Sequence, residues 1–485
     1  MIDRDEPRFA EASREMIQRA DYVVPYFNNQ LRLDKPPLAY WAQVASYRIF
    51  GESDFSARFP SAIAAGLTAL LIFAWGRRIG ATEVGWGAAI VFTLSLQTFL
   101  HAKAAVADMW LVLFMTLAHW AGYELLHDGL TNENKRPAFN QAAAVASPPS
   151  ATWRSFFFVF YFSLAFGFLA KGPIAWIPLL TVGATIVLAR NWQLARHFRF
   201  LSGILLMLGV VALWGIPALI QTHGKFFAIG IGRHVIGRSL ATMEGHGANS
   251  FGMYLLLLPF YFVTIFVSFF PWSIRLPWLI RQLWKQKNAG IDDPGYSGNK
   301  LDNYLLAGIA IIFVIFTLVA TKLPHYTLPA FPLLALLLAR RWHGGGANTN
   351  HGSLFRNLAA TTACFWIAIA LVIPPLVAQF FPAYRLFRES RVHLQTNMQF
   401  ASVEFEEPSL VWYFRSRVNG FLTRVNRKSA VDFMFKPGPR FVIVPTSLVQ
   451  AFFPNHPQVW KSFSTRGFNI AKGKKVDLTL ILKSE

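Results

Sequence analysis

Long stretches without charged residues divide this chain, and they constrain its fold more than any other feature. Most of them approach the roughly 20 residues that a helix needs to cross a bilayer core. The stretches are Phe59–Trp75, Val84–Leu100, Met109–Tyr123, Ser155–Ala170, Gly172–Ala189, Phe200–Thr222, Ser250–Ile274, Asn303–Thr321, Leu323–Ala339 and Asn357–Tyr384. One such stretch alone is compatible with a buried core helix. This many, with little polar sequence between them, predict a polytopic membrane protein.

The composition supports a membrane class. Only 15% of the residues are charged and 54% are hydrophobic, whereas soluble domains carry about 25% charged residues. Backbone groups in lipid must be paired within the segment, so the spans are expected to be helices, and barrel strands would alternate in polarity. We therefore predict an all-α polytopic membrane protein with about ten spans in this chain.

The net charge of +21 does not indicate a nucleic-acid partner. The basic residues lie mostly at the ends of the apolar stretches, where they fit membrane phospholipids and orientation signals. The single cysteine, Cys364, lies inside an apolar stretch. A disulfide framework or a cysteine zinc site within the chain is therefore excluded.

The basic residues also orient the chain. If residues 1–58 lie outside the cytoplasm, arginine-rich connections such as Arg77–Arg78 and Arg340–Arg341 fall inside, which follows the positive-inside bias. The loop that contains Lys225, Arg233 and Arg238 then lies outside with an excess of cations. Such an excess is unexpected there, so these residues are candidates for a function.

Three regions are expected. Residues 1–58 form interfacial helices of the first external loop, and residues 59–381 form the transmembrane helical region. Residues 382–485 form a small C-terminal α/β domain outside the cytoplasm, because residues 439–445 and 476–482 read as strands. Residues 408–414 read as either a strand or a short helix.

The first polar motif is the acidic pair Asp5–Glu6, followed by Pro7 and a helical pattern. Asp5 stands where an N-cap would be. One interpretation is a capped amphipathic helix on the membrane surface. The other is a pair of carboxylates that handle a proton or hydroxyl of a substrate.

The second motif is Asp34-Lys35-Pro36-Pro37. The prolines fix an extended turn before another helix. The turn is either an interfacial feature with a snorkelling lysine, or a site where Lys35 binds phosphate and Asp34 orders the lysine or holds a cation.

Asp108 lies near the end of an apolar stretch, where a carboxylate usually faces a polar cavity or a partner. Lys103 could simply neutralise it. Lys171 begins a Lys-Gly-Pro turn between two stretches, which is either structural punctuation or part of a site.

Two further groups fall on the same predicted side. His234 and Arg238 are four residues apart, so on a helix they share a face and could bind a phosphate, or His234 could bind a metal. Lys322, His325 and Tyr326 lie at a proline-rich entrance to a span, where the prolines alone could explain the pattern. All of these clusters lie on one predicted membrane face, which suits an anionic lipid head group and a hydroxyl-bearing partner.

In order along the chain, these motifs resemble those of the bacterial membrane glycosyltransferases related to the lipid A aminoarabinose transferase and to protein O-mannosyltransferases. The matching segments are Asp5-Glu6-Pro7-Arg8-Phe9-Ala10-Glu11, Asp34-Lys35-Pro36-Pro37, Lys171–Pro173, His234 with Arg238, and Lys322–Tyr326. Asp34 stands where Glu is common in that family, and the C-terminal region adds little to the resemblance.

The resemblance implies a GT-C fold and a glycosyltransferase that uses a polyprenyl-phosphate sugar as donor, with a lipid, glycan or protein as acceptor. It implies these roles: Asp5 and Glu6 catalytic; Lys35, Arg238, Lys322 and Tyr326 binding the donor phosphate; Asp108, Lys171 and His325 lining the cavity; Asp34 and His234 holding a divalent metal cation, if one binds.

The resemblance also implies a location. We expect a multi-pass protein of the bacterial inner membrane whose active site faces the periplasm. Family members carry a membrane helix before the acidic pair, so we expect an N-terminal span that is missing from this chain. The alternative is a transporter or flippase of polyprenyl-linked sugars, which would need polar residues facing both sides of the membrane.

Overall fold

The computed structural model describes residues 5–134, 151–237, 250–288, 298–343, 349–454, 457, 459–469 and 473–484. These residues are mostly helical. The helices, α1 to α21, are Glu6–Arg19, Leu38–Phe50, Asp54–Ile79, Thr82–Leu94, Leu96–Ala102, Asp108–Asn134, Ala151–Lys171, Ile177–Leu188, Leu194–Phe198, Phe200–Gln221, Phe227–Gly237 (a π-helix), Phe251–Leu256, Phe260–Ser268, Leu276–Asn288, Gly298–Leu318, Phe331–His343, Thr349–Ala378, Pro382–Ser390, Pro408–Phe414, Arg427–Phe435 and Val449–Phe452. Short 3₁₀ turns cover Pro173–Trp176, Trp272–Arg275, Pro324–Ala330, Arg391–His393 and Thr446–Leu448.

Six helical segments of the described residues are long and apolar enough to cross a membrane, and eight result if each of two bent pairs counts as one span. The six are Asp54–Ile79, Asp108–His127, Trp153–Lys171, Leu194–Gln221, Lys300–Leu318 and Gly352–Ala378. The prediction of a polytopic helical membrane protein is confirmed, whereas the count of ten spans is not.

The span count differs because several apolar stretches bend instead of running straight. Thr82–Leu94 and Leu96–Ala102 meet at 69°, and Phe260–Ser268 and Trp272–Lys285 meet at 120°. The stretch Leu323–Ala339 divides into a 3₁₀ turn and α16, most of whose residues are buried within the protein. Hydropathy measures the length of an apolar stretch but not its straightness.

The N-terminal helix α1 forms where the sequence predicts a helix. Pro7 lies in the first turn, where a missing backbone N–H does no harm. Asp5 occupies the N-cap position, but its side chain makes no capping hydrogen bond, so the predicted side-chain cap is not formed. Residues from Glu6 to Met16 are largely buried, because α1 packs between α2 and α19. The helix is therefore enclosed by protein on several sides.

The C-terminal part contains a five-stranded mixed sheet with the order β4-β3-β5-β7-β6. A two-stranded ribbon near the N-terminus supplies β1 and β2. The strands β1 to β7 are Tyr26–Phe27, Gln30–Leu31, Gln399–Ser402, Leu422–Arg424, Arg440–Pro445, Lys461–Asn469 and Lys474–Lys483. β3 pairs in parallel with β4 and β5, and β7 runs antiparallel to β5 and β6. Residues 408–414, left open from the sequence, form the helix α19. The small C-terminal α/β domain is confirmed, while its exact boundaries stay a prediction.

A buried ion network joins this domain to α1. The Arg14 guanidinium donates to Glu11 at 2.5 Å, to Glu52 at 2.6 Å and to the Trp412 carbonyl at 2.9 Å. Arg415 also donates to Glu11. Burial raises the pKa of Glu11 more than the charges of Arg14 and Arg415 lower it. Each of these buried charges has a partner, as charges removed from water require.

Two further contacts fix the same junction. The Asn28 side-chain amide donates to the Leu422 carbonyl at 2.9 Å and accepts from the Leu422 N–H at 2.8 Å, on the edge strand β4. The Trp412 indole and the Tyr413 hydroxyl donate to Asp54 at 2.8 and 3.1 Å. The C-terminal domain therefore rests on the same N-terminal segment that carries the first two motifs.

Candidate active site

Three segments that are distant in sequence meet around the Asp108 carboxylate. Asp108 begins α6, and Lys171 ends α7 just before Gly172, whose φ of +82° turns the chain into the following 3₁₀ helix. Lys171 Nζ lies 2.5 Å from Asp108 Oδ1, and His325 Nε2 lies 3.9 Å from the same oxygen. Lys171 Nζ also lies 5.8 Å from the centre of the Tyr326 ring. The Lys-Gly-Pro turn and the segment Lys322–Tyr326 therefore come together at one carboxylate.

The Asp34–Lys35 turn is ordered by a residue that the sequence reasoning missed. Arg32 lies with Nη2 3.1 Å from Asp34 Oδ2 and donates through Nε to the Tyr40 hydroxyl at 2.9 Å. Burial lowers the pKa of Arg32, but the charge of Asp34 and the nearby Tyr40 and Asp5 raise it by more than burial lowers it. The guanidinium therefore stays charged. Lys35 Nζ lies 3.2 Å from the Asp34 carbonyl oxygen. The sequence signal for this ion pair was Arg32 itself, which stands two residues before Asp34.

Both groups line one cavity of about 660 Å³. Its polar lining residues are Asp34, Lys35, Asp108, Lys171, His325 and Tyr326. Much of the remaining wall is apolar and comes from α10 and α11, including Leu208, Val211, Leu219 and Phe227. A cavity with a charged region and a long apolar wall suits an amphiphile with an anionic head and a hydrocarbon tail.

The acidic pair lies outside this lining, and its two members have different surroundings. Glu6 is buried, accepts from Arg58 Nε and Nη2 at 2.8 and 2.7 Å and from the Ala105 N–H at 2.9 Å. The Asp5 side chain is 58% exposed, and within the described part of the chain it contacts Arg8 at 3.4 Å. The Asp5 charge nevertheless acts on Arg32, whose pKa it helps to raise. Asp5 is thus open to solvent, and its charge acts on the arginine that orders the Asp34 turn.

Lys322, predicted to bind donor phosphate, lies elsewhere in the described structure. Its Nζ donates to the carbonyls of Phe316 and Thr317 at the end of α15, a common way to satisfy the last carbonyls of a helix. It also lies 5.6 Å from the Tyr254 ring and 5.7 Å from the Tyr261 ring. Lys322 is absent from the lining of the cavity that the described residues form.

The pair His234 and Arg238 can be placed only in part. His234 belongs to the backbone of α11, but its side chain lies outside the described residues, and so does Arg238. Gly230, earlier in the same helix, lines the cavity. The predicted metal ligands Asp34 and His234 therefore have one described side chain between them, and Asp34 is paired with Arg32.

A different set of side chains of the types that can bind a metal lies close together. His101, Asp108 and His325 each place one ligand atom within 4.8 Å of the others. His101 was not a candidate in the sequence, because it lies at the end of α5, seven residues before Asp108, with no motif around it.

Comparison with known proteins agrees with this architecture. Residues 34–133 match the family model described as dolichyl-phosphate-mannose-protein mannosyltransferase. The chain is similar to the undecaprenyl phosphate-alpha-4-amino-4-deoxy-L-arabinose arabinosyl transferase of Edwardsiella ictaluri, with 26% identity over 69% of the chain and 54% of the relative. It is also similar to the transferase 2 of that name from Sodalis glossinidius, with 28% identity over 76% of the chain and 61% of the relative.

The described fold has a solved counterpart. ArnT from Cupriavidus metallidurans, crystallised bound to undecaprenyl phosphate, superposes with a TM-score of 0.67 and 17% identity, covering 98% of this chain and 93% of ArnT. The predicted resemblance to the bacterial membrane glycosyltransferases is confirmed. The fold is of the GT-C type, and the chain spans between half and two thirds of the length of the two curated relatives.

Proposed function

We propose that this protein is an integral-membrane glycosyltransferase. It moves a sugar from a polyprenyl-phosphate-linked donor to a lipid, glycan or protein acceptor at the outer face of the bacterial inner membrane. The observation that carries the proposal is the cavity of about 660 Å³, in which charged side chains and a long apolar wall lie side by side. The names of the similar transferases support the same donor class.

The donor would lie with its hydrocarbon tail along α10 and its phosphate near the polar lining. Lys35 and Lys171 both face the cavity, and an ammonium near the bridging phosphate stabilises the negative charge that develops as the phosphate leaves. Tyr326 can donate a hydrogen bond to a phosphate oxygen. Arg238 and Lys322 remain proposed donor ligands. Lys322 would first have to release the carbonyls of Phe316 and Thr317.

The acceptor would approach from the side of Asp5. Its hydroxyl oxygen forms a bond to the anomeric carbon while the bond from that carbon to the phosphate oxygen breaks. The acceptor proton passes to a carboxylate, and the electron pair leaves with the polyprenyl phosphate. Asp5 is exposed and its charge acts on Arg32, which orders the Asp34–Lys35 turn of the cavity, so it is our candidate base. Glu6, the other predicted catalytic carboxylate, would support Asp5 mainly by holding α1 in place, because Arg58 and the Ala105 N–H occupy its carboxylate.

Three finer points belong to the proposal. The active site would face the periplasm, because the positive-inside bias places the connections that carry its motifs outside the cytoplasm. Residues 1–58, 59–381 and 382–485 act as the external loop, membrane region and C-terminal domain. A divalent cation held by Asp34 and His234 is proposed from the family resemblance.

The test is sugar transfer by purified protein in lipid nanodiscs with a polyprenyl-phosphate sugar and lipid, glycan or peptide acceptors. We expect wild type and Asp432→Asn, an exposed control in the C-terminal domain, to transfer sugar. Asp5→Asn should lower kcat at least 100-fold. Equal rates for Asp5→Asn and wild type would remove Asp5 from the chemistry. Sugar that crosses vesicle membranes without transfer would support a flippase instead.

A further inference from the structure

The side chains of His101, Asp108 and His325 come from three separate parts of the membrane region. His101 lies near the end of α5, Asp108 begins α6, and His325 lies in the 3₁₀ turn before α16. Their ligand atoms lie within 4.8 Å of one another. Two imidazoles and one carboxylate are the ligand set of many catalytic zinc sites and of non-haem iron sites. Such sites leave one or more coordination positions open for water or substrate.

His101 Nδ1 lies 3.1 Å from the Gln97 backbone carbonyl oxygen and 3.1 Å from the Gln97 side-chain Nε2. The carbonyl can only accept and the amide NH₂ group can only donate, so the two contacts suit opposite tautomers of the ring. In the tautomer that donates from Nδ1 to the carbonyl, Nε2 holds the lone pair and can bind a cation. A hydrogen bond from the non-ligating nitrogen to a carbonyl is a regular outer-shell feature of metal-binding histidines.

The Asp108 carboxylate has an oxygen to spare. Among the described residues, the contacts of Asp108 with Lys171 and His325 both involve Oδ1, which leaves Oδ2 as the oxygen that can bind a cation. Asp108 and His325 line the cavity while His101 does not. A cation bound by the three would therefore lie at the edge of the cavity, with its open position toward the space proposed for the donor phosphate.

We propose that His101, Asp108 and His325 form a binding site for a divalent transition-metal ion such as Zn²⁺, separate from the pair Asp34 and His234. This inference deepens the proposed function, because a cation here could bind an oxygen of the donor phosphate. Zinc bonds to nitrogen and oxygen are about 2.0–2.2 Å, so tetrahedral ligand atoms lie about 3.4 Å apart. The present separations, for example 3.9 Å from His325 to Asp108, require modest side-chain rotation.

Lys171 gives the proposal a distinctive consequence. Its ammonium lies 2.5 Å from Asp108 Oδ1, so it and a bound cation repel each other and compete for one carboxylate. Lys171→Met removes that competitor while keeping the side-chain length. We therefore expect metal to bind more tightly to Lys171→Met than to wild type. A purely structural ion pair between Asp108 and Lys171 predicts no such gain.

The experiment measures metal binding in the full-length protein without donor or acceptor. Chelator-treated protein in detergent is titrated with Co²⁺, whose visible absorption reports tetrahedral coordination, and then with Zn²⁺ in competition. We expect one site per chain in wild type and in the matched control His393→Ala, in the C-terminal domain. Affinity should fall at least tenfold in His101→Ala and in His325→Ala, and rise several-fold in Lys171→Met.

The outcomes are separable. Monodisperse elution and an unchanged thermal midpoint show that each variant is folded, and the gain of affinity in Lys171→Met cannot arise from misfolding. Binding that persists in both histidine variants, or that is lost in Asp34→Asn instead, would overturn the proposal. So would unchanged affinity in Lys171→Met. Since no transfer is measured, absence of glycosyltransferase activity would count against the proposed function alone.

Discussion

Replacing Glu6 with Gln separates a structural carboxylate from a catalytic one. Glu6 accepts two hydrogen bonds from Arg58 and one from the Ala105 N–H, and it is 2% exposed. Glutamine keeps one acceptor oxygen, but its NH₂ group would face an Arg58 donor, and the charge of Arg58 would lose its partner. Breaking a buried ion pair costs about 3–5 kcal/mol. Because Glu6→Gln retains some of the hydrogen bonds, we expect it to destabilise the protein by about 3 kcal/mol.

The neighbouring carboxylate is the internal control. Asp5 is 58% exposed and its contact with Arg8 is 3.4 Å long, so Asp5→Asn should change stability by less than about 1 kcal/mol. In thermal unfolding of the detergent-solubilised protein, Glu6→Gln should lower Tm by about 3 °C, and Asp5→Asn should leave it nearly unchanged. In the sugar-transfer assay the order of the two variants should reverse: Asp5→Asn should lower the transfer rate more than Glu6→Gln does.

The pH dependence gives a second measure of the same pair. Burial raises the pKa of Glu6, but Arg58 lowers it more, so the pKa lies below its ordinary value of 4.5. The stabilisation by Glu6 is then fully present above about pH 4.5 and is lost as the pH falls through the folded-state pKa. The Tm difference between wild type and Glu6→Gln should shrink in that range. A folded Glu6→Gln with unchanged Tm and abolished transfer would refute the structural reading and make Glu6 catalytic.

Two glycine pairs give further predictions. Gly85→Ala should lower Tm, because the added Cβ would lie 2.6 Å from the Phe73 carbonyl oxygen where α3 and α4 cross. The resulting strain is about 1–3 kcal/mol. Gly183→Ala, whose Cβ would meet open space, should leave Tm unchanged. Gly215→Leu should raise the KM for a polyprenyl-phosphate donor about tenfold with kcat retained, because position 215 lines the cavity and has open space for a side chain. Gly209→Leu, on the same helix but outside the cavity lining, should leave KM unchanged. Equal KM values for the two variants would contradict the proposal that α10 binds the donor tail.

The sequence allowed a good prediction of class and of the polar motifs. Apolar length identified a membrane protein, and the alternation of loops placed Asp34, Lys35, Asp108 and Lys171 on one side. The structure brings these four to one cavity. Local patterns were sufficient here because the Asp34–Lys35 and Lys171 motifs sit at breaks between helices that proline and glycine mark in the sequence, and Asp108 stands out as a charge at the end of an apolar stretch.

Partners at long sequence separation could not be predicted. Arg58 lies 52 residues from Glu6, and no local pattern connects the two. Arg78 was read as an orientation signal, yet it donates to the buried Glu124 at 2.6 and 3.0 Å. His101 likewise carried no motif. Such pairings depend on which helix faces which, and periodicity within one helix does not encode that.

The junction between α1 and the C-terminal domain has a consequence for biogenesis. Glu11 meets Arg415 across 404 positions, and Arg14 meets the Trp412 carbonyl across 398. During synthesis the first helix therefore emerges long before its last counter-charge exists. Until then Glu11 has, among the described residues, only the local partner Arg14. A chain that stops before Trp412 would therefore lack both Arg415 and the Trp412 carbonyl, and α1 would lose the contacts that enclose its charged side chains.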